Sequence, residues 1–425
     1  MRSRNDYSIA TNISSRVTAA HSFAIRTAKM AVVQTPDCTL TLEALRAFAV
    51  IIIMSGYCYQ YMATAGMHLP MNNQVSIILY NIQNMVTLFF VLAGVVTFLP
   101  IARAILKRQG IYPIWSVIVR RTVRVIPAYW FAIIVVWILH YSGQPNQWLE
   151  LVQHLAFVQT FSTQNIFQTI GPAWLFSVEI WFYIFLACFT PLIYFFSTLL
   201  RSQTYRAMTL YILTIIFIAT GVGYKIWLYR TPYLPTDSHS LVLYYSLLSR
   251  FDNFAVGILL AVLLAMYERH KRHLFLACIA TIAAISLTIG TYYYSGHYLS
   301  GSPSSLFYFC QFMWEIIAFL LLAGIVAAMN TSRQAVKKHG RSSFWEYLGS
   351  ISYAMVMWYE PTFTWLNRYF IASSILFFAL SLLSFILIIL AVASLNYWII
   401  GYPVSFLTHL FTHEGELYPR YLEQL

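Results

Sequence analysis

Charge is scarce in this chain, and that scarcity decides the broad class of the protein. Of 425 residues, 9% are charged and 60% are hydrophobic, and the mean hydropathy is +0.66. A water-soluble fold cannot remove that much apolar surface from water. The composition therefore excludes a soluble globular protein and predicts a polytopic membrane protein embedded in a lipid bilayer.

Motifs for bound cofactors are missing as well. There is no phosphate-binding loop, zinc motif or glycine-rich dinucleotide fingerprint. The cysteines have neither metal-type spacing nor an evident pairing; they are Cys38, Cys58, Cys188, Cys278 and Cys310. We therefore predict no metal. Residues 1–36 lack the apolar core of a cleaved secretory signal. They are predicted to be a disordered cytoplasmic tail, with a transit peptide as the alternative.

Long apolar stretches are what the sequence has in abundance. Each is about long enough to cross a hydrocarbon core of roughly 30 Å. They lie near residues 42–60, 77–99, 124–141, 173–199, 207–228, 250–267, 273–293, 306–329, 346–369 and 371–393. We predict an all-α membrane domain of about ten helices over residues 37–393. The C-terminal tail, residues 394–425, is too short for a second enzymatic domain, so any chemistry belongs to the membrane domain.

The basic residues alternate between the two sides of these ten spans. The tails and the loops on one side hold 21 Lys and Arg residues, the loops on the other side hold 4, and Arg46 lies within the first span. Positive residues collect on the cytoplasmic side of membrane proteins, so both termini are predicted to be cytoplasmic. This placement explains the net charge of +12 without a nucleic-acid partner.

Glu179 is the most informative acid in the chain. It lies inside a stretch that is otherwise uncharged from Ala173 to Leu200. An isolated acid in a bilayer core costs about 2.5 to 3.5 kcal/mol on the lenient insertion scale, so such acids are functional or paired. Pairing with an arginine that merely holds helices together is the structural alternative.

Helix direction sorts the remaining polar residues by depth. Arg46 falls near the cytoplasmic end of the first span, and Tyr57 falls about 16 Å further out at 1.5 Å per residue. Glu179 is predicted in the outer half of the bilayer. Asp252, Tyr359 and Glu360 are predicted toward the same face, and Glu315 near mid-depth. These acids predict a polar cavity that opens outward.

Three arginines face the cytoplasm in the segment from Arg120 to Trp130. Arg120, Arg121 and Arg124 have helical spacing that lets them bind phosphates together. Ordinary anchoring at the membrane boundary, with Tyr129 and Trp130, is the alternative. An apolar barrier between this inner anion site and the outer acids would suit an enzyme with a cytosolic donor and an external acceptor. It would also suit a transporter.

Several segments, in order, resemble the acyltransferase-3 family of integral membrane O-acyltransferases. The similar family patterns are a Leu-Arg-Gly/Ala run, "FFVLSG", "RRxxRIxPxYW", "LWSLSVE", "RFxEFxxG" and "LGxISYxxYLWHxP". The matching stretches begin at Leu45, Phe89, Arg120, Trp174, Arg250 and Gly349. Each is weak alone, but their shared order across residues 42–361 is specific.

The resemblance implies transfer of an acyl group, usually acetyl from cytosolic acetyl-CoA, to a hydroxyl of a surface glycan or glycolipid. It implies a multi-pass protein of the plasma membrane, the cytoplasmic membrane in a bacterium. Its candidate residues fall into three groups. Those for catalysis are Glu179, Tyr57 and Glu360; those for acyl-CoA are Arg46, Arg120, Arg121 and Arg124; those for the acceptor, a polysaccharide or lipid-linked sugar, are Trp174, Ser177 and Asp252.

Three polar positions depart from the family pattern. Tyr57 and Tyr359 stand where the family has histidines, and Gly401 precedes Tyr402-Pro403 where a glutamate often lies. Histidine suits proton abstraction because its ordinary pKa is about 6.5, whereas that of tyrosine is about 10. Glu179, with Glu360, is the alternative base, and Tyr57 could donate to the thioester oxygen. Other histidines predicted near the outer side could be recruited as the base, although a loop histidine is more often a solvated bystander; they are His68, His140, His154, His239 and His297.

Other functions stay open at this point. The chain could keep the scaffold without catalysis and act as an accessory or binding protein. A secondary transporter predicts inverted repeats and broken helices, whereas no repeat is evident and mid-helix proline is scarce. A glycan flippase or polymerase often has a large external loop, whereas the longest here, near 142–172, has about 30 residues. Arg230 and Arg250, on the outer side, are candidates to bind an anionic lipid-linked sugar. Oligomeric state is not predicted.

Overall fold

The computed structural model describes residues 36–64, 86–108, 112–144, 146–230, 238–267, 316, 318, 343–369 and 375–404. Two predicted spans, 273–293 and most of 306–329, lie outside these residues, as do Glu315 and the N-terminal tail. The side chains of Arg120 and Arg124 also lie outside them. The regular structure within the described ranges is helical throughout, as predicted.

The described elements are ten helices and several short turns of other helical types. The helices are α1 (Pro36–Thr64), α2 (Val86–Leu106), α3 (Tyr112–His140), α4 (Asn146–Leu155), α5 (Ala173–Leu199), α6 (Gln203–Arg230), α7 (Ser238–Tyr244), α8 (Phe251–Tyr267), α9 (Ser343–Leu366) and α10 (Ile375–Asn396). A π-helical turn, Tyr397–Gly401, follows α10. The helices α4 and α7 are too short to span a bilayer.

Six stretches of the described residues are long and apolar enough to cross a membrane. They are Val86–Leu106, Arg121–His140, Ala173–Leu199, Gln203–Leu228, Leu248–Met266 and Leu376–Val404. These stretches support a multi-pass membrane protein. The helices α1 and α9 coincide with two further predicted spans but carry more polar residues. The count of ten spans and the cytoplasmic termini stay predictions.

Two helices extend beyond the spans predicted near 77–99 and 124–141, since α2 continues to Leu106 and α3 begins at Tyr112. Pro100 and Pro127 lie inside these two helices. Pro191 and Pro361 also lie inside helices. The expectation of few mid-helix prolines is therefore wrong. Neighbouring membrane helices can satisfy the carbonyl that a proline leaves unbonded, which makes these prolines tolerable.

The helices α2 and α8 form the tightest contact in the described core. A Cβ added at Gly94 would lie 2.4 Å from the Phe254 carbonyl oxygen, and one added at Gly257 would lie 2.2 Å from the Val91 carbonyl oxygen. Both glycines therefore allow direct backbone contact, as small residues do between membrane helices. Around them Phe90, Phe182 and Phe254 pack ring against ring.

The connection between α3 and α5, predicted as an external loop near 142–172, contains the helix α4. Trp137 donates its indole N–H to the Gln147 carbonyl, and Trp130 donates to the Leu155 carbonyl. The helix α4 therefore runs back along the last turns of α3. The side-chain amide of Gln159 then donates both to the hydroxyl of Tyr129, in the middle part of α3, and to the carbonyl of Ala173 at the start of α5. The first turn of α5 therefore lies beside the middle of α3 rather than beside its C-terminal end.

Three helices carry the polar side chains of interest, and contacts fix their relative directions. From α1 to α9, Arg46 meets Tyr353 and Tyr57 meets Glu360, so these two helices run the same way. From α9 to the α5 region, Tyr353 meets Glu179 whereas Glu360 meets Gly171, so α5 runs the opposite way. This relative arrangement agrees with the predicted alternation of the spans.

Candidate active site

Arg46 and Glu179 are joined through one tyrosine. The guanidinium of Arg46 donates to the hydroxyl of Tyr353, and that hydroxyl donates to Glu179 Oε1 at 3.2 Å. The hydroxyl of Tyr183 also donates to Glu179 Oε1. We call these four residues the Arg46–Glu179 network. Glu179 is 0% exposed and Arg46 is 1% exposed, so the network is closed off from solvent.

Aromatic rings compensate part of the cost of burying the guanidinium. The guanidinium carbon of Arg46 lies 4.6 Å from the centroid of the Tyr353 ring and 5.3 Å from that of Phe89. Such contacts contribute about 2 kcal/mol when the cation is desolvated. Arg121 on α3 is close enough to act electrostatically on Tyr183. Positive charge from α1 and α3 therefore acts on the Arg46–Glu179 network.

This geometry brings together two residues that the sequence predicted at different depths, Arg46 near the cytoplasmic end of the first span and Glu179 in the outer half of the bilayer. Glu179 is separated from Arg46 by a single hydroxyl group. The predicted apolar barrier between these acids and the anion site of Arg120, Arg121 and Arg124 stays a prediction, because the side chains of Arg120 and Arg124 lie outside the described residues. Because α5 starts beside the middle of α3, Glu179 comes within reach of the Tyr353 hydroxyl that also binds Arg46.

A second group of polar residues lies further along α1 and α9. Tyr57 donates its hydroxyl to Glu360 Oε1 at 3.3 Å, and the Gly171 backbone N–H donates to Glu360 Oε2. The rings of Tyr57 and Tyr359 meet edge to face with centroids 5.2 Å apart. We call these four residues the Tyr57–Glu360 cluster. Tyr57 and Glu360 are only half-buried, in contrast to Glu179.

Gly171 leaves room for the Glu360 carboxylate. A Cβ at Gly171 would lie 2.6 Å from both carboxylate oxygens of Glu360. The carboxylate therefore rests directly on the backbone just before α5 begins. A backbone N–H in this place fixes the direction of the carboxylate and leaves its remaining lone pairs for other donors.

The predicted acceptor-binding residues occupy three different surroundings. Trp174 packs against Phe90 and Tyr245, with ring centroids 5.8 and 4.6 Å apart. Ser177 is fully buried beside Tyr129. Asp252 is fully buried on α8, and its Oδ2 lies 2.5 Å from Lys225 Nζ. The structure therefore brings Trp174 near the Tyr57–Glu360 cluster but turns Asp252 toward α6.

The described histidines lie apart from both groups. His140 and His154 each contact the carbonyl oxygen of the residue four positions earlier, on α3 and α4 respectively. Burial lowers the pKa of His154, although its contact with the Glu150 carbonyl acts in the opposite direction. The predictions for His68 and His297 and for the side chain of His239 fall outside the described residues.

Two members of the Arg46–Glu179 network were missed as site residues. Tyr183 follows Glu179 by four positions, a spacing that puts both side chains on one helix face, so the sequence contained this signal. Tyr353 is the last residue of a segment that resembles the family. Its contact with Arg46 could not be predicted from neighbouring residues, because the two lie 307 positions apart.

A known protein family matches most of this chain. A family model of the acyltransferase-3 type, described as an acyltransferase domain, matches residues 40–399, which is most of the chain. The chain belongs to the acyltransferase-3 family. No curated protein and no solved structure matches the chain.

Family membership supports a membrane acyltransferase, and the family-like segments supply much of the described site. Arg46, Phe89, Glu179 and Tyr353 come from four of these segments and contact one another. Gly94 and Gly257 end two of them and face each other between α2 and α8. The two family histidine positions are Tyr57 and Tyr359, which share the Tyr57–Glu360 cluster.

Proposed function

We propose that this protein transfers an acyl group, acetyl in the simplest case, from cytosolic acyl-CoA to a hydroxyl of a surface glycan or glycolipid. The plasma membrane is the proposed location. The observation that carries the proposal is the alignment of two polar sites along α1 and α9. The closed Arg46–Glu179 network, with Arg121 nearby on α3, is followed by the half-buried Tyr57–Glu360 cluster. This layout suits a donor that enters from one side and an acceptor that enters from the other.

The donor is assigned to the arginines. Arg121 is half-buried on α3 and shares helical spacing with Arg120 and Arg124, which suits binding of the acyl-CoA phosphates. Arg46 is too buried to meet a phosphate in this arrangement. The positive charge of Arg46 instead stabilises the carboxylate of Glu179 through the Tyr353 hydroxyl. These hydrogen bonds also hold α1, α5 and α9 together.

Glu360 is the proposed general base. Its carboxylate is half-buried and positioned by Gly171 and Tyr57, whereas Glu179 has no exposed surface and accepts from two tyrosines. Glu360 takes the proton of the acceptor hydroxyl as that oxygen attacks the thioester carbonyl carbon. The C–S bond breaks, and the CoA thiolate leaves with a proton from solvent. Glu179 then acts as a positioning residue.

Tyr57 has a second role in this proposal. While Glu360 is ionised, the Tyr57 hydroxyl donates to it. Once Glu360 holds the proton, that hydroxyl is released and can donate to the oxyanion that forms on the thioester oxygen. A preorganised donor of this kind lowers the barrier most at the moment when charge develops.

One observation favours a second candidate, a binding protein that has kept the scaffold and lost the chemistry. Both histidine positions of the family are tyrosines, and the tyrosines contact each other. Tyrosine is a poor base near neutral pH. This candidate predicts binding of acyl-CoA without turnover.

Transfer from radiolabelled acetyl-CoA in inverted membrane vesicles separates the two candidates. The vesicles contain total cell lipids and glycans as acceptors, and wild type is compared with Glu360→Gln and Glu179→Gln. Incorporation by wild type that is lost in Glu360→Gln supports the enzyme. A folded wild type that binds acetyl-CoA without incorporation supports the binding protein. Arg201→Gln, an exposed change beside α6, is the control.

A further inference from the structure

Arg250 lies just before α8 and has an unusual environment. Only 8% of it is exposed, and its guanidinium carbon lies 4.7 Å from the Tyr244 ring centroid and 5.5 Å from that of Trp174. Tyr244 also hydrogen-bonds with it. Its Nε has no hydrogen-bond partner among the described residues. Aromatic groups, rather than acids, are therefore its main described neighbours.

The nearest acid is already engaged by another cation. Asp252 Oδ2 lies 2.5 Å from Lys225 Nζ, and Asp252 Oδ1 accepts the backbone N–H of Asn253 at 2.9 Å. No carboxylate in the described part of the chain lies within ion-pair distance of Arg250. Among the described residues, this group of Lys225, Asp252 and Arg250 carries one more positive than negative charge in a buried place. Buried charges are usually paired, and contacts with rings compensate only part of the cost.

Arg250 lies at the same end of α5 as the Tyr57–Glu360 cluster. Its ring neighbour Trp174 follows Gly171 by three positions, and the Gly171 N–H binds the Glu360 carboxylate. Tyr245 packs on Trp174 and on Phe167, so aromatic rings enclose the space between α5 and α8. A molecule held by Arg250 can therefore lie along the first turn of α5 toward Glu360.

We propose that Arg250, with Trp174 and Tyr244, binds an anionic group of the acceptor, a carboxylate or a phosphate, and that the acceptor is an anionic glycan or glycolipid. The guanidinium neutralises the anion, and the rings provide flat surfaces on which a sugar can stack. This inference rests on the proposed acyl transfer and names its acceptor class. Asp252, predicted to bind the acceptor, instead holds Lys225 beside this site.

The test compares matched acceptors in the full-length protein in lipid nanodiscs. Methyl glucuronide supplies a carboxylate, methyl glucoside 6-phosphate supplies a phosphate, and methyl glucoside is the neutral match. Binding is measured as an increase in the melting temperature, and acetyl transfer is measured separately as kcat/KM. We expect at least one anionic sugar to bind and react about tenfold or more better than the neutral sugar, the usual size of one charge-assisted hydrogen bond.

Variants then assign the preference to Arg250. In Arg250→Gln we expect the ratio of anionic to neutral kcat/KM to fall about tenfold or more, chiefly through KM. Arg250→Lys keeps the charge and should keep part of the ratio, which provides a folded variant if the glutamine variant is unstable. The exposed Arg201→Gln makes the same change in net charge away from the site and should keep the ratio.

The outcomes separate this inference from the proposed function. Binding of an anionic sugar that depends on Arg250, without acetyl transfer, supports the site and contradicts the enzyme. Transfer to the neutral sugar at the same efficiency as to both anionic sugars supports the enzyme and overturns the site. A preference that persists in both Arg250 variants also overturns it. The better of the two anionic sugars shows whether the site takes a carboxylate or a phosphate.

Discussion

Tyr57 and Tyr359 lie in direct contact, with their rings at 67° and their centroids 5.2 Å apart. These are the two positions at which the acyltransferase-3 family has histidines. Two of the three departures from the family pattern therefore lie at one place in the fold. Phe363 continues the edge-to-face contacts from Tyr57, and Glu360 provides the only acid that touches Tyr57 among the described residues.

Removing the charge of Glu360 is expected to stop acyl transfer. Glu360→Gln should lower kcat about 10² to 10⁴-fold, the usual contribution of a general base, with KM for acetyl-CoA little changed. Tyr57→Phe removes one donor and should cost less. Tyr141→Phe, an exposed change beyond α3, serves as the control. Steady-state kinetics on folded protein would contradict the assignment if Glu360→Gln kept wild-type kcat.

The Tyr353 hydroxyl is expected to contribute to stability. Tyr353→Phe leaves Arg46 and Glu179 without their bridge, and an unsatisfied buried group costs about 1 to 3 kcal/mol. The free energy of unfolding should fall by that amount in detergent. Tyr205→Phe, at an exposed site on α6, should leave it unchanged. A double-mutant cycle with Glu179→Gln should give a coupling of about 0.5 to 3 kcal/mol, and strict additivity would argue against the bridge.

Glycine substitutions should distinguish the α2–α8 contact from an open helix face. Gly94→Ala forces a Cβ against the Phe254 carbonyl, a backbone atom that cannot move aside alone, and should destabilise the protein by about 1 to 3 kcal/mol. A Cβ added at Gly223 would have no atom within 4 Å, so Gly223→Ala should be neutral or stabilise α6 by about 0.5 to 1 kcal/mol. Melting temperatures test the difference. Equal effects at both positions would contradict close packing at Gly94.

His154 is expected to make stability depend on pH. Burial lowers its pKa in the folded state, so the unfolded chain binds a proton more readily. The contribution is present above the unfolded pKa of about 6.5 and is lost as the pH falls below it. The melting temperature should drop between pH 7 and 5, and His154→Asn should reduce that drop. His140→Asn is the matched control, since exposed His140 makes the same contact with a carbonyl four positions earlier.

The sequence predicted individual helices better than the connections between them. The apolar stretch from Ala173 to Leu199 is helical as predicted, because a bilayer leaves a backbone no other way to bond its polar groups. The connection predicted near 142–172 contains α4, which the sequence did not indicate, because indole N–H groups of α3 bind carbonyls of α4 and such contacts have no pattern along the chain. For the same reason the sequence did not show that Glu179 and Arg46 share the Tyr353 hydroxyl.

The amino-acid sequence alone determined that this protein belongs in a membrane and that Glu179 needs a function or a partner, because apolar surface and an isolated acid each carry a fixed cost of solvation. Tertiary structure alone decided which groups meet. Arg46 and Tyr353 are 307 positions apart, and Tyr57 and Glu360 are 303 apart, so no local period relates them. These contacts follow from the parallel packing of α1 and α9. The way the two helices pack against each other, and not the sequence of either helix, decides which residues meet.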